Sequence, residues 1–263
     1  MIGSKFLNVV LNFFYPPKCI FCRNILDITA ERPVCEKCYA ELPYLENKVC
    51  CEKCGKPIVS FGKRKLCYHC LNQTHFYYKR IVSVFEYEGH ARDSILRYKT
   101  NNTLRLYAKV YAEMMYKRFL QCFANEYIDI IVAVPDSKAR GVQKTAGHVD
   151  LICEEFSKLS GIPFYKNCLK KVKHTAKQAS LKWNERQTNL IGSIKATDPE
   201  KLKGKTCILI DDVCTTRATI RECSKELKFA GCKKILALTL CTTVKKPIRR
   251  KDQTKPYEKS RSI

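Results

Sequence analysis

Two glycine-rich signatures of common nucleotide-binding folds are missing from this sequence. Neither G-x-x-x-x-G-K-[ST], the phosphate loop of P-loop ATPases, nor G-x-G-x-x-G, the fingerprint of dinucleotide-binding Rossmann domains, occurs anywhere in its 263 residues. In both folds these glycines let the backbone come close to phosphate groups. Their absence therefore disfavours both classes of protein.

A hydrophobic run long enough to cross a membrane is also missing near the start of the chain. Such a span needs about 20 apolar residues, whereas the apolar stretch Lys5–Phe14 is far shorter. We predict that this stretch forms an amphipathic helix packed on the protein, with a peripheral membrane contact as the alternative. No secretory signal is evident. We therefore expect a cytoplasmic protein whose thiols are reduced.

Acidic residues are scarce relative to basic ones. The chain has 25 Asp and Glu against 49 Lys and Arg, which gives a formal net charge of +24. Such a charge attracts polyanions such as nucleic acid, pyrophosphate-bearing metabolites or anionic lipid. The alternative is a lysine-rich surface that is simply well solvated. The segment Val244–Ile263 combines many basic residues with few apolar ones, and we predict that it is disordered when unbound.

Cysteine, by contrast, is abundant and regularly spaced. Eight of the 17 cysteines form two consecutive copies of C-x2-C-x12-C-x2-C. The first copy is Cys19, Cys22, Cys35 and Cys38, and the second is Cys51, Cys54, Cys67 and Cys70. A two-residue gap lets both thiolates of a pair bind one metal ion, so the tandem arrays predict two structural Zn²⁺ sites.

Other uses of these cysteines fit the sequence less well. A disulfide framework needs an oxidising compartment and is disfavoured by the odd number of cysteines, and a thioredoxin-like redox centre needs only a single pair. The spacing leaves open whether each array binds its own ion or the pairs are cross-braced. Cys50, which precedes Cys51, is a candidate competing ligand.

Apolar runs alternate with amphipathic stretches after the cysteine arrays. The runs predicted as strands are Arg80–Tyr87, Tyr127–Val134, Cys207–Ile210 and Leu236–Leu240. The stretches predicted as helices are Ala91–Tyr98, Leu104–Phe119, Val149–Leu159 and Ile220–Ala230. This order predicts an α/β fold, a parallel sheet flanked by helices. We expect a small zinc-binding module at residues 1–75, the α/β domain at 76–243 and a basic tail at 244–263.

The segment Ile208–Thr219, I-L-I-D-D-V-C-T-T-R-A-T, has the pattern of an anion-binding site at the carboxyl end of a buried strand. The amide groups at the start of the following helix and the hydroxyls of Thr215, Thr216 and Thr219 favour a phosphate. Asp211 and Asp212 would repel that phosphate, so we expect them to face ribose hydroxyls or a hydrated Mg²⁺.

A simpler interpretation of the same segment is an acidic pair that only caps the helix. Cys214 lies inside the segment and is a candidate for an exposed, oxidisable thiol, although a neutral filler is favoured over a catalytic role.

The long polar segment Val172–Leu190 interrupts the alternation of strands and helices. Long polar excursions within a compact domain are usually functional or disordered. A mobile hood over a reaction centre is the favoured interpretation, and a plain surface loop is the alternative.

The Asp-Asp and threonine-rich segment resembles the phosphoribosyl-pyrophosphate (PRPP) motif of type I phosphoribosyltransferases. The residues that match are Asp211, Asp212, Thr215, Thr216 and Thr219. Arg217 stands where that family usually has glycine, which allows a positive φ and a close backbone approach. The sequence leaves open whether Arg217 helps or blocks anion binding.

The order of motifs along the chain is similar to that of the ComF family of competence-associated proteins, which combine a cysteine-rich zinc region with a type I phosphoribosyltransferase-like domain. Tyr87 to Lys99 is similar to the Y-x-G…K segment of that family. Val134-Pro135 with Arg140-Gly141 and Gln143 resembles its V-P…R-G-F-N-Q run, although Val142 replaces the usual aromatic residue. The polar excursion resembles its R-x-T…Q-x-x-L…R-x-x-N segment at His174, Thr175, Gln178, Leu181, Arg186 and Asn189.

The resemblance implies that the protein binds PRPP with Mg²⁺ and transfers its phosphoribosyl group with loss of pyrophosphate. The residues implied in catalysis are Asp211, Asp212, Lys99, Arg140, Lys173 and Arg186. The residues implied in holding the 5′-phosphate are Cys214, Thr215, Thr216, Arg217, Ala218 and Thr219. The loop that begins with Asp136, Ser137 and Lys138 would take the pyrophosphate. Catalysis would consist mostly of positioning and charge stabilisation.

The alternative function is that of a non-catalytic competence factor. The same resemblance suggests a protein that handles incoming single-stranded DNA together with competence-machinery proteins. In that case the PRPP pocket is regulatory or vestigial, and the net charge and basic tail bind the phosphate backbone. The sequence does not identify an acceptor base.

Overall fold

The computed structural model describes residues 16–58, 65–100, 104–136, 147–172 and 192–244. Several predictions fall outside these ranges: the N-terminal helix Lys5–Phe14, nearly all of the polar excursion and the basic tail beyond Val244. The candidate site residues that lie outside are Ser137, Lys138, Arg140, Lys173 and Arg186.

A four-stranded parallel sheet forms the centre of the described structure. Its strands are β1 (Ile81–Glu86), β2 (Ile130–Ala133), β5 (Thr206–Cys214) and β6 (Lys234–Thr242), and they lie in the order β1-β6-β5-β2. A separate antiparallel pair, β3 (Leu169–Lys171) and β4 (Ile194–Ala196), flanks the polar excursion. The predicted parallel sheet is therefore confirmed.

Helices cover both faces of the sheet. The short helices α1 (Glu36–Glu41) and α2 (Tyr68–Leu71) belong to the cysteine arrays. The longer ones are α3 (Gly89–Tyr98), α4 (Leu104–Phe123), α5 (His148–Ser160) and α6 (Ala218–Phe229). Helices α3, α4 and α5 pack in a core with Ile208 and Ile210, whereas α6 packs in a second core with Cys207 and Leu209. Adjacent residues of β5 thus face opposite cores, which explains its continuous apolar run.

The strand boundaries differ from the predictions: β1 and β2 are shorter than expected, and β5 and β6 are longer. Strand β5 does not end at Ile210 but continues to Cys214, because Asp211, Val213 and Cys214 remain paired with β6. Cys214 is therefore a buried strand residue rather than an exposed loop thiol, and burial raises its pKa to about 12. The expectation of an oxidisable thiol there was wrong.

The first cysteine array packs directly into the larger core of the α/β domain. Ile20 and Phe21 are almost fully buried there, and the Phe21 ring contacts those of Phe85 in β1 and Tyr111 in α4 at centroid distances of 6.2 and 6.3 Å. In addition, Arg97 of α3 donates to the carbonyl of Ile20 at 3.0 Å. The array is therefore held by apolar packing as well as by any metal.

Candidate functional site

The eight arrayed cysteines form two compact clusters in the order of the sequence. Cys19, Cys22, Cys35 and Cys38 lie together, as do Cys51, Cys54, Cys67 and Cys70, and within each cluster all Sγ atoms are within 4.8 Å of one another. The open question of cross-bracing is settled in favour of one array for each site. Cys50 lies outside both clusters, with its Sγ 3.9 Å from the Leu45 carbonyl.

Each cluster is built on the same tight backbone turn. In the first, Arg23 N donates to the Cys19 carbonyl; in the second, Gly55 N donates to the Cys51 carbonyl. Arg23 and Gly55 both adopt a positive φ, 71° and 68°. Gly55 is also required sterically, because a Cβ there would lie 2.5 Å from the Ile81 carbonyl oxygen. The second turn therefore lies directly against the start of β1.

The cysteine geometry fits tetrahedral Zn²⁺. Four sulfurs about 2.3 Å from one ion lie roughly 3.8 Å apart, and the Cys22–Cys35 and Cys54–Cys67 Sγ distances are 3.7 and 3.6 Å. Backbone amides also point at the sulfurs: Cys35 N donates to Cys19 Sγ and Cys67 N to Cys51 Sγ. Such amide donors stabilise thiolates. Both clusters are therefore suited to structural zinc.

A carboxylate pair lies at the carboxyl-terminal half of β5. Asp211 and Asp212 are 8% and 6% exposed, and Lys99, the residue after α3, places its Nζ 2.6 Å from Asp212 Oδ2. Burial, followed by repulsion from Asp212, raises the pKa of Asp211 to about 8, although Lys99 opposes the shift. Burial also lowers the pKa of Lys99, but attraction to Asp212 and Asp211 outweighs it and leaves that pKa raised. A cation bound beside this pair would favour the ionised form of Asp211.

A third carboxylate, Asp136, follows β2 and faces the same region. Its charge contributes to the raised pKa of Asp211. Its Oδ2 atom is buried and accepts no hydrogen bond from the described residues, with His148 Nδ1 at 3.7 Å. Gly147 makes this position accessible, because a Cβ there would lie 2.7 Å from Asp136 Oδ2. The family resemblance implies that Asp136 belongs to a pyrophosphate loop, and the charge of Asp136 also acts on Asp211.

The threonine-rich turn between β5 and α6 is anchored through its carbonyl groups. Thr215 O accepts from Lys56 Nζ at 2.8 Å and from Thr243 Oγ1 at 3.3 Å. Cys214 O accepts from Thr243 N and Thr242 Oγ1. Because the N–H and C=O of one trans peptide point in opposite directions, the next amide groups along the turn point away from these anchors. The turn can thus present amides to an anion at the start of α6.

Arg217 ends this turn in the conformation that glycine usually takes. Its φ is 68° and its ψ is 1°, and it is the N-terminal cap of α6. Its guanidinium Nη1 donates to Cys70 Sγ at 3.1 Å. The side chain is therefore directed to the second cysteine cluster, and the backbone of the turn keeps the shape that a glycine would give.

The structure brings together most of the described candidate residues. Asp136, Asp211, Asp212, Lys99 and the Cys214–Thr219 turn all lie where β2, β5 and α3 end, the edge at which α/β sheets bind ligands. Sequence reasoning missed Lys56. Burial lowers the pKa of Lys171, whereas the negative charges of Asp136 and Asp211 oppose this shift.

A family model for the phosphoribosyl transferase domain matches residues 102–263, which is more than half of the chain. The chain belongs to the phosphoribosyl transferase domain family. A second model, the double zinc ribbon domain, matches residues 10–71 and covers both cysteine clusters. Together the two domains give the architecture of the ComF family, as the sequence predicts.

Two curated relatives are named for competence and for DNA utilization. Competence protein F of Haemophilus influenzae is 27% identical over 233 residues, which cover 86% of this chain and 96% of that protein. DNA utilization protein YhgH of Salmonella typhi is 28% identical over 116 residues, which cover 44% of this chain and 50% of that protein. The present chain is thus a competence-related protein with a phosphoribosyltransferase-like domain.

The similarity to solved structures is weak. Adenine phosphoribosyltransferase from Saccharomyces cerevisiae is 13% identical over 57% of this chain and 73% of its own, with a TM-score of 0.34. Within the described ranges, no helix is both long and apolar enough to cross a membrane.

Proposed function

We propose that this protein binds PRPP, or a closely related 5-phosphorylated ribose, together with Mg²⁺. The observation that carries the proposal is the buried Asp211–Asp212 pair, of which only Asp212 has a described lysine partner at hydrogen-bond distance, beside a turn that presents backbone amides. One part of the site favours cations and hydroxyl groups, and the adjacent part favours a phosphate. A phosphorylated sugar satisfies both parts at once.

Mg²⁺ suits the acidic part of the site. The pKa of Asp211 is raised by burial and by Asp212, which means that the ionised form lacks compensation. Asp136 Oδ2 is also buried without a described hydrogen-bond donor. Mg²⁺ prefers oxygen ligands and keeps several waters, so it would supply the missing positive charge between these carboxylates and the diphosphate of the ligand.

The protein residues have separable tasks in this proposal. Asp211 and Asp212 orient the ribose through its hydroxyl groups. The amides of the turn and the hydroxyls of Thr215, Thr216 and Thr219 hold the 5′-phosphate. Lys99 balances charge beside Asp212 and is half-exposed, so that it can also reach a pyrophosphate. Transfer of the phosphoribosyl group would then depend on positioning and charge stabilisation rather than on a nucleophilic residue.

Calorimetry of PRPP binding in Mg²⁺ tests the proposal. The double variant Asp211→Asn/Asp212→Asn keeps the shape of the site but removes its charge, and it should weaken binding by about 100-fold or more, as expected for loss of charge-assisted hydrogen bonds. Asp93→Asn on the exposed surface of α3 is the matched control and should bind like the wild type. Equal affinity in all three proteins would refute the site. Release of pyrophosphate with candidate bases tests turnover separately.

A second function, binding of single-stranded DNA, is favoured by a different observation. The formal charge of +24 suits a phosphate backbone, and both curated relatives are named for competence or DNA utilization. We propose that the protein acts on incoming DNA in the cytoplasm, in contact with competence-machinery proteins. Its affinity for single strands should fall steeply with salt, and deletion of residues 245–263 should reduce that salt dependence. Binding that is insensitive to salt would argue against this function.

A further inference from the structure

We propose that the second cysteine cluster, when it holds its zinc ion, positions the phosphate-binding turn, with Arg217 and Lys56 as the positioning residues. The proposal rests on the proposed function in one respect only: it assigns the turn to a phosphate. In this proposal the second zinc site is a part of the phosphoribose site and does not only stabilise the N-terminal fold.

Arg217 is the first connection between the cluster and the turn. It belongs to the turn through its backbone and reaches the cluster through its side chain, with Nη1 3.1 Å from Cys70 Sγ. Its φ of 68° is rare for a residue with a Cβ atom. Such a conformation persists only where surrounding contacts hold it. The contact with Cys70 provides this support, because four thiolates on one Zn²⁺ leave two negative charges beside the guanidinium.

Lys56 is the second connection, and here the backbone lies in the cluster while the side chain reaches the turn. It belongs to the cluster through its backbone, since its carbonyl accepts from Cys51 N at 2.8 Å within the metal-binding turn. Its side chain reaches the phosphate turn, where Nζ donates to Thr215 O at 2.8 Å. The carbonyl side of the turn is thereby fixed, and the amide of the same peptide is directed away from Lys56.

The first cysteine cluster makes neither connection and serves as an internal reference. Asn24 occupies the equivalent place to Lys56, and its carbonyl accepts from Cys19 N at 2.9 Å in the same way. The contacts of that cluster are instead with β1, α3 and α4: the Phe21 ring contacts those of Phe85 and Tyr111, and Arg97 donates to the Ile20 carbonyl. Zinc at the two clusters should therefore have different effects: the first supports the core, and the second supports the phosphate turn.

The two ligands of the site should consequently influence each other. A metal ion fixes the backbone of the turn that carries its thiolates, so loss of the second ion releases the anchors of residues 214–219. By thermodynamic reciprocity, a phosphate bound to that turn raises the affinity of the second cluster for its ion. Arg217→Gly should uncouple the two, because glycine adopts the positive φ without strain but has no side chain to reach Cys70.

Hydrogen–deuterium exchange on the zinc-loaded full-length protein tests the positioning role without any ligand. We expect the amides of residues 214–219 to exchange about tenfold faster in Arg217→Gly and in Lys56→Met than in the wild type, the effect of losing roughly one charged hydrogen bond. Arg217→Lys, which keeps the charge, should recover part of the protection. Arg23→Gly is the matched control: it makes the same substitution at the same positive φ in the first cluster and should leave this turn unchanged.

Cadmium-113 NMR then tests the coupling, since each four-cysteine site gives its own resonance. In the wild type, PRPP with Mg²⁺ should shift the resonance of the second cluster and not that of the first. In Arg217→Gly both resonances should remain while the response to PRPP disappears. Exchange at residues 214–219 that is the same in the wild type and both variants would overturn the positioning role. If exchange differs as expected but PRPP does not bind the wild type, the proposed function fails and the connection between cluster and turn stands.

Discussion

Lys99 and Asp212 form an ion pair that has a near-identical counterpart elsewhere in the molecule. Lys99 Nζ lies 2.6 Å from Asp212 Oδ2, and Lys48 Nζ lies 2.6 Å from Glu86 Oε1; both lysine side chains are 43% exposed. The two pairs differ in their surroundings, because Asp212 is adjacent to a second buried carboxylate, Asp211. Comparing variants of the two lysines therefore separates the contribution of a single ion pair to stability from the contribution of the neighbouring buried carboxylate.

Replacement of Lys99 by methionine should destabilise the ligand-free protein by about 1–2 kcal/mol, because two neighbouring carboxylates then lack compensation. Lys48→Met should cost less than about 1 kcal/mol, as usual for a partly exposed pair. Mg²⁺ should restore more stability to Lys99→Met than to Lys48→Met, since it replaces the missing charge. Thermal unfolding with and without Mg²⁺ measures both effects, and equal responses in the two variants would contradict the cation site.

Asp211→Asn should stabilise the Mg²⁺-free protein increasingly as the pH rises. The folded pKa of Asp211, about 8, is above its unfolded value of about 3.9. The native state therefore holds this proton where the unfolded state has lost it, and the resulting stability disappears as the pH rises toward 8. The difference between variant and wild type should grow between about pH 4 and pH 8, by at most about 1.4 kcal/mol per unit, and then level off.

Denaturant unfolding at several pH values measures this difference. Asp93→Asn, an exposed substitution of the same kind, should show no such trend. A constant difference for Asp211→Asn across the range would show that Asp211 is already ionised at the lower pH.

Gly147→Ala should weaken binding of PRPP by about tenfold without a large loss of stability. The added Cβ would lie 2.7 Å from Asp136 Oδ2 and displace that carboxylate, whereas the backbone at residue 147 has an ordinary φ of −59°. A double-mutant cycle with Asp136→Ala checks the cause. If Gly147→Ala acts through Asp136, it should have no further effect in the Asp136→Ala background. Additive losses would place the effect elsewhere.

The protein should contain two zinc ions per chain, and Cys50→Ser should retain both. Each cluster already supplies four sulfurs, and Cys50 lies outside them. Elemental analysis of the purified protein gives the stoichiometry. Retention of only one ion by Cys50→Ser would show that Cys50 is a ligand after all.

The sequence predicted the elements of this fold well because its apolar patterns are strong. Each strand of the sheet and each of the helices α3 to α6 appeared as a run or an amphipathic stretch. The boundaries were less certain: Asp211 and Asp212 suggested the end of a strand, although backbone pairing with β6 carries β5 on to Cys214. Hydrogen bonds of the backbone do not depend on side-chain polarity, and a pattern of polarity cannot show where they end.

The site was predicted wherever its residues are close in sequence. The Asp211–Thr219 segment is one such stretch, and Lys99 came from a recognisable motif. Lys56 could not be found in this way. It lies 159 positions from Thr215 in the sequence, and its local sequence does not distinguish it from any other lysine in a metal-binding turn. Arg217 did carry a signal, its place at a position usually held by glycine. Only the structure shows what the arginine contacts, which is the Cys70 sulfur.

The burial of Phe21 between Phe85 and Tyr111 has a consequence for how such a chain can be divided. A truncation near residue 75 would keep every sequence motif of the α/β domain intact. It would nevertheless expose the larger core, because Ile20 and Phe21 from the N-terminal region are part of that core. The double zinc ribbon is thus not an independent module that gene fusion could add or remove. It closes one side of the core of the phosphoribosyltransferase-like domain, and fragments that lack it should aggregate rather than fold as a smaller unit.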